Sequence, residues 1–259
     1  MPELPDLEIF AENLDKRFRN KVLEQVEIKL AKSLNVALAE LKVNLEGQEL
    51  KSLTRNGLAI SLQFKNHAVL TVDLMSSGKI NVLRSSDVTA VNLINLYFKG
   101  GDVLAVTDPK DLSVFKLNPI QATVPDALSK EMTFEYLSSM LLDNKKQIKK
   151  VLLDQKIIRG IGHAYADEIL WYAEISPFSI AGKIPANQIK KLQKTIKYVL
   201  LDAIKQIKKL STEQVAAEMH DFLLIHNPGK EKSPTGRVIK TRSKAGMMTY
   251  YTDEQVLWS

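Results

Sequence analysis

Residues 144–177 read NKKQIKKVLLDQKIIRGIGHAYADEILWYAEISP, and the second half of the fold is decided by how this stretch is read. The spacing predicts a short basic helix, a tight turn at Gly160-Ile161-Gly162 and a second helix beginning near His163. Two glycines flanking one residue let the backbone turn sharply and let a phosphate come close. The helix that follows offers unpaired amides and the positive end of its dipole, an anion site in principle. Lys145, Lys146, Lys149, Lys150, Lys156 and Arg159 lie in the same window against Asp143 and Asp154, so phosphate contacts have many candidates. An ordinary helix hairpin with a solvated basic face has the same pattern, so the glycines alone are a weak signal.

Outward from this block the chain changes texture. Further helices are expected over 133–142, 186–208 and 212–223. The first half instead alternates in short extended runs: 22–30, 50–54, 58–64, 68–74, 80–83, 93–98 and 103–107. Lys65-Asn66 and Gly100-Gly101-Asp102 read as hairpin turns. A helix over 5–19, carrying Leu7, Phe10, Ala11, Leu14 and Phe18, precedes the strands, and a short one is expected near 36–41. Pro119 and Pro125 bracket an aperiodic linker near 117–130. The first half is therefore a β-rich layer, a sandwich or a flattened barrel, preceded by one helix, and the second half is helical.

At 259 residues and 45% hydrophobic content the chain can bury a real core. It contains no cysteine, which excludes disulfides and thiolate metal sites, and its four histidines, His67, His163, His220 and His226, have no metal-ligand spacing. No metal and no cofactor are expected. There is no signal-peptide pattern and no long apolar run, so a soluble intracellular protein with no membrane partner is expected. A net charge of +6 favours a polyanionic partner.

The first eight residues, MPELPDLE, carry the candidate chemistry. Removal of Met1 would leave Pro2 as a free secondary amine. An α-amino group titrates near pH ~8 against ~10.4 for lysine, so much more of it is nucleophilic at neutral pH. Attack on a sugar aldehyde gives an iminium ion, an electron sink. Glu3 is the adjacent proton donor or acceptor, and Asp6 and Glu8 add carboxylates. A proline opening a helix whose first turn is acidic reads the same way in sequence.

Together, MPELPDLE, the block from Asp143 to Pro177 and the basic C-terminal tail resemble the formamidopyrimidine-DNA glycosylase and endonuclease VIII family, in the same order and over almost the whole chain. The middle block looks like that family's helix-two-turn-helix motif. The resemblance implies an α+β fold with an N-terminal helix and antiparallel β-sandwich over 1–125, a helical domain over 126–225 and a C-terminal segment over 226–259 whose runs 236–241 and 247–252 form a metal-free hairpin. It implies DNA held in a cleft between two domains, excision of damaged bases and cleavage at the abasic site, by a monomer in a bacterial cytoplasm or nucleoid. Pro2 would be the nucleophile, Glu3 would assist opening of the sugar ring, and Asp6 would join them in catalysis. DNA contacts are implied for Arg55, Lys110, Leu112, Lys149, Lys150, Arg159, Gly160, Gly162, His163, Tyr165, Arg237, Lys240 and Arg242, with damaged or abasic DNA as the partner.

The departures are specific. Where the family carries a lysine after Arg-Arg-Gly, this chain reads Arg55-Asn56-Gly57-Leu58. His163 stands where the family has a phosphate-contacting asparagine. The Asp-Pro-Arg-Arg-Phe-Gly run reads Asp108-Pro109-Lys110-Asp111-Leu112-Ser113; Leu112 keeps an apolar wedge, while Asp111 reverses a charge. The four cysteines of the family's zinc finger correspond to Lys232, Thr235, Thr252 and Gln255, and its phosphate-binding arginine to Met247. Lys230, Lys232, Arg237, Lys240, Arg242 and Lys244 nevertheless keep the tail basic. Two readings follow: an active glycosylase and abasic-site lyase with altered lesion choice, or a catalytically weakened DNA-binding protein of the same fold.

Overall fold

A computed structural model describes residues 2–29, 31–88, 92–210, 220–244 and 246–259. The chain divides into two compact units. The main body of the first is Asp6–Gln121; that of the second is Ala122–Ile207 with the C-terminal segment, and Glu3–Pro5 belongs to the second.

The first unit is a two-sheet sandwich with helix α1 (Leu4–Phe18) entering it at Asp6. One sheet has the order β1-β6-β7-β5, from β1 (Leu23–Ile28), β5 (Lys79–Arg84), β6 (Ile94–Phe98) and β7 (Asp102–Thr107). The other runs β2-β3-β4-β8, from β2 (Leu50–Asn56), β3 (Ala59–Phe64), β4 (Val69–Asp73) and β8 (Val114–Leu117). Helix α2 (Leu38–Leu45) lies between β1 and β2 in sequence. All these strand pairs are antiparallel. Leu7, Phe10, Leu14 and Phe18 form the apolar stripe of α1 and pack with residues of both sheets, among them Val26, Leu62, Leu96 and Phe115. Period-two alternation in β4, with Leu70 and Val72 inward, is the sequence pattern of a half-buried strand. Sequence reading missed β8, a run of four residues that falls where the linker was expected to begin; its registry with β4, Leu70 opposite Leu117, is a long-range contact with no local signal.

Cations and carboxylates lock this unit locally. Asp102, at the start of β7, accepts from Arg17 at 2.9 Å and Lys21 at 2.7 Å, fixing the end of α1 to the sheet. Asp108 organises the loop that follows β7. Its carboxylate accepts from Ser77 Oγ, from Ser113 Oγ at 2.7 Å and from the backbone of Lys110, Leu112 and Ser113. Burial alone would raise this carboxyl, but those donors together hold it well below the usual carboxylate range.

The second unit contains α3 (Phe134–Leu141), α4 (Ile148–Leu152), α5 (His163–Tyr172) and most of α6 (Ala186–Leu210). Its core joins Leu4 to Leu137, Ile148, Val151, Ile161, Ile169, Leu192 and Ile196. Thr133 caps α3 by accepting from Tyr136 N. The expected helix over 212–223 falls largely outside the described residues, and its last part, 220–223, is turn and coil. The C-terminal hairpin pairs β9 (Lys240–Lys244) with β10 (Met247–Tyr251). Its first strand starts four residues after the expected 236. The apolar run Val238-Ile239 looks more strand-like than the fully exposed KTRSK that forms it, and pairing to β10 overrides that preference. No helix among the described residues is long and apolar enough to cross a membrane.

Candidate nucleic-acid interface

The turn from α4 to α5 is pinned by Gln155. Its Oε1 accepts from Gly160 N at 2.9 Å and its Nε2 donates to Ile161 O at 2.9 Å. Gly160 has φ +100°, and a Cβ there would also lie 2.6 Å from Leu4 Cδ1, so glycine is required twice over. Gly162 caps α5 in an extended conformation.

The amides at the start of α5 already hold an anion. Ala164 N donates to Glu3 Oε1 at 2.8 Å and Tyr165 N to Glu3 Oε2 at 3.2 Å, so the Glu3 carboxylate bridges the second and third amides of the helix. Glu3 is 3% exposed. The sequence reads this turn as an anion site in principle; at these two amides the anion is the chain's own third residue. Gly162 makes room for it, since a Cβ there would lie 2.6 Å from Glu3 Cγ and Oε1. Pro2, next to Glu3 in the chain, is buried, and Asp6 is fully enclosed in the first turn of α1.

Three assignments need correction. Lys149 is buried: its ammonium lies 2.6 Å from Asp167 Oδ1 and donates to Met248 O at 3.0 Å and Thr249 Oγ1 at 3.1 Å, so it fastens β10 to α5 instead of facing solvent phosphate. Arg55, with a side chain 7% exposed, bonds Glu8 at 2.6 Å and Gly57 O, neutralised inside the first unit. The Tyr165 ring is 0% exposed and is core; its contribution to the site is its backbone amide to Glu3. Arg159 is half-buried, with Nε committed to Val124 O at 2.8 Å, tying the turn to the linker.

The remaining candidates are placed as follows. Lys110 and Leu112 are exposed on the Asp108 loop of the first unit, where Asp111 takes φ +52°. Leu58, in the position of the family's lysine, packs against the sandwich core. In the second unit Lys150, His163, Arg242, Lys244, Phe178 and Met247 line a cavity of about 170 Å³. The Arg242 guanidinium lies 5.1 Å from the Phe178 ring centroid, which itself meets Tyr251 edge-on. Met247 faces Lys244 across the hairpin and Thr249 faces Arg242, so β9 puts two cations where the sequence, aligned to the family, has methionine. His163 is held below its usual range, first by burial and then by Lys149, with Asp167 opposing, so near pH 7 it serves as a neutral donor or acceptor. Arg237 and Lys240 are exposed; Lys240 reaches Asp253 at 2.7 Å and Arg237 approaches Glu254 at 4.0 Å.

Sequence reasoning missed the carboxylates that hold this region together. Asp167 accepts from Tyr250 N at 3.0 Å and contacts His226 Nδ1 at 2.8 Å; Glu168 accepts from the backbone of Leu224, Ile225 and His226. Burial pushes the Glu168 carboxyl up, with those three amides opposing. Two adjacent acids inside an otherwise apolar helix were the available signal. The finger positions are held by hydrogen bonds: Thr235 donates to Glu254, Thr252 N donates to Gln255 Oε1, and Gln255 Nε2 donates to Ile175 O. Among the described residues no group of three or more histidines and acids could hold a metal ion.

Residues 1–115 match the formamidopyrimidine-DNA glycosylase N-terminal domain, and residues 124–215 match the formamidopyrimidine-DNA glycosylase H2TH domain. The chain is 30% identical over 249 residues to the formamidopyrimidine-DNA glycosylase of Carboxydothermus hydrogenoformans, covering 96% of this chain and 90% of that protein. It is 31% identical over 208 residues to that of Protochlamydia amoebophila, covering 77% and 75%. In fold it is similar to the Lactococcus lactis formamido-pyrimidine DNA glycosylase non-covalently bound to DNA containing an abasic site, with a TM-score of 0.85 and 22% identity over 97% of this chain and 98% of that one. The chain belongs to the formamidopyrimidine-DNA glycosylase family.

Proposed function

We propose that this protein is a DNA repair glycosylase with abasic-site lyase activity, working through the amine of Pro2 on damaged or abasic DNA. One observation carries the reading: the Glu3 carboxylate, one peptide bond from Pro2, is held at a fixed place by two amides of the family's helical block. Glu3 serves there as the proton acceptor for the Pro2 amine.

The Pro2 nitrogen attacks the anomeric carbon of a flipped nucleotide, the glycosidic bond breaks, and the base leaves with the bonding electrons and takes up a proton. The attacking nitrogen is left positively charged and loses its proton to Glu3. Glu3 passes that proton to the ring oxygen as the sugar opens, and an iminium joins Pro2 to the sugar. The iminium acidifies the neighbouring sugar carbon, C2′, and loss of its proton expels the 3′ phosphate; the conjugated iminium that results acidifies C4′, and loss of that second proton expels the 5′ phosphate. Extruding the nucleotide costs a few kcal/mol, less at a damaged pair. Lys150, His163, Arg242 and Lys244 supply phosphate contacts, and the exposed Leu112 supplies the wedge.

Borohydride trapping on abasic-site duplex tests this directly. The processed wild type should form a covalent adduct, and a form retaining Met1, in which the Pro2 nitrogen is tied up in a peptide bond, should not. Tight binding without an adduct would favour the second reading, a DNA-binding protein weakened in catalysis, which the packing of Leu58 into the sandwich core supports.

A further inference from the structure

Helix α6 is amphipathic in an unusual way. Its inner face, Ile189, Leu192, Ile196, Val199, Leu200 and Ala203, belongs to the core of the second unit. At 100° per residue, Lys190, Lys194 and Lys197 fall within about 60° of one another on the opposite face, and all three are exposed. Leu201, 46% exposed, continues the stripe, and Tyr198, 57% exposed, borders it.

Elsewhere the helices offset their cations at helical spacing: Arg19 with Asp15 in the turn that ends α1, and Lys42 with Glu46 at the end of α2. On α6 the residues three and four positions from Lys190, Lys194 and Lys197 include no acid. Lys190 and Lys194 are instead like charges at four residues apart, and Lys194 and Lys197 at three, an arrangement that costs each pair about 0.2–0.5 kcal/mol of helix stability. A face meant only for solvent gains nothing from such a choice.

We infer that this face of α6 is a second DNA-backbone contact, separate from the cavity between α4, α5 and the hairpin, with which it shares no residue. Lys190 to Lys197 spans about 10 Å of helix axis, the rise of three phosphate steps along one strand at ~3.4 Å each. The exposed Tyr198 and Leu201 give the stripe an apolar edge against sugars. This inference rests on the proposed DNA function, and its role would be to hold the protein on undamaged duplex.

The test is equilibrium binding to an undamaged 40-bp duplex over a range of salt, with Lys190→Gln, Lys194→Gln and Lys197→Gln combined; glutamine keeps helix propensity close to lysine's. The slope of log K against log salt should become shallower by about 2.7, at about 0.9 per lost phosphate contact. A control combining Lys29→Gln, Lys51→Gln and Lys99→Gln, likewise exposed cations of the first unit, removes the same charge and should leave the slope near wild type. Borohydride trapping on a 12-bp abasic duplex should be unchanged by the α6 variant. An unchanged slope, or an equal change in the control, overturns the inference. Loss of trapping in wild type overturns the enzymatic reading instead, and the salt slope still reports on α6.

Discussion

Replacing Gly162 by alanine tests whether the seat of Glu3 is what the glycine provides. Gly162 has φ −112° and ψ −168°, extended backbone that alanine adopts freely, so the substitution adds one methyl group without torsional strain. That methyl group would lie 2.6 Å from Glu3 Cγ and Oε1. Glu3 can escape only by giving up its bonds to Ala164 N and Tyr165 N, each a hydrogen bond to a charged group worth about 1.5–3 kcal/mol. Partial rehydration of the displaced carboxylate returns some of this, so the expected loss is about 3 kcal/mol, read as a fall in Tm of roughly 10 °C. On the proposed mechanism, trapping on abasic DNA should fall by more than tenfold, because Glu3 would have left its seat. A double-mutant cycle isolates the cause: in a Glu3→Ala background the methyl group meets no carboxylate, and Gly162→Ala should then cost less than 1 kcal/mol. Equal destabilisation with and without Glu3 would refute the reasoning, as would a Gly162→Ala protein that traps like wild type.

Lys149→Met keeps the stem but leaves Asp167 buried without its cation; denaturant unfolding should report a loss of about 3–5 kcal/mol, and a change under 1 kcal/mol would show that the pair is dispensable. Chelation should leave Tm and DNA affinity unaltered, because Thr235, Glu254 and Gln255 hold the finger positions by hydrogen bonds; a chelator-induced fall in Tm would mean that a metal is bound. Asp102 is held well below the usual carboxylate range, first by Arg17 and, against the opposing effect of burial, by Lys21. Its contribution is therefore full above the unfolded carboxylate pKa of ~3.9 and is lost as pH falls below that toward the depressed folded value. Asp102→Asn should accordingly be less stable than wild type at pH 6, with the gap narrowing by pH 3 in thermal melts; a gap independent of pH would contradict this.

The fold was legible wherever periodicity is local. The stripe of α1, the alternation of β3 and β4 and the glycine turn before α5 each announce themselves within a dozen residues, and the α+β class follows from them. What the sequence hid are pairings over long separations. β8 exists because Val114–Leu117 meets β4, and β9 because a run of exposed polar residues meets Met247–Tyr251. At the site, counting lysines identified a basic region but could not tell Lys149, which is buried against Asp167, from Lys150, its exposed neighbour. The glycine turn was correctly read as the start of an anion-binding helix, and the anion was misassigned because Glu3 lies 161 residues away from its partner Ala164.

That separation also sets a timetable. While the chain is being made, the segment that seats Glu3 emerges long after the N-terminal residues have left the ribosome, so the carboxylate next to Pro2 stays unanchored until more than half of the polypeptide exists. A nascent fragment ending before α5 carries Pro2 and Glu3 without the amides that seat the carboxylate, and this arrangement is complete only with the growth of the second unit.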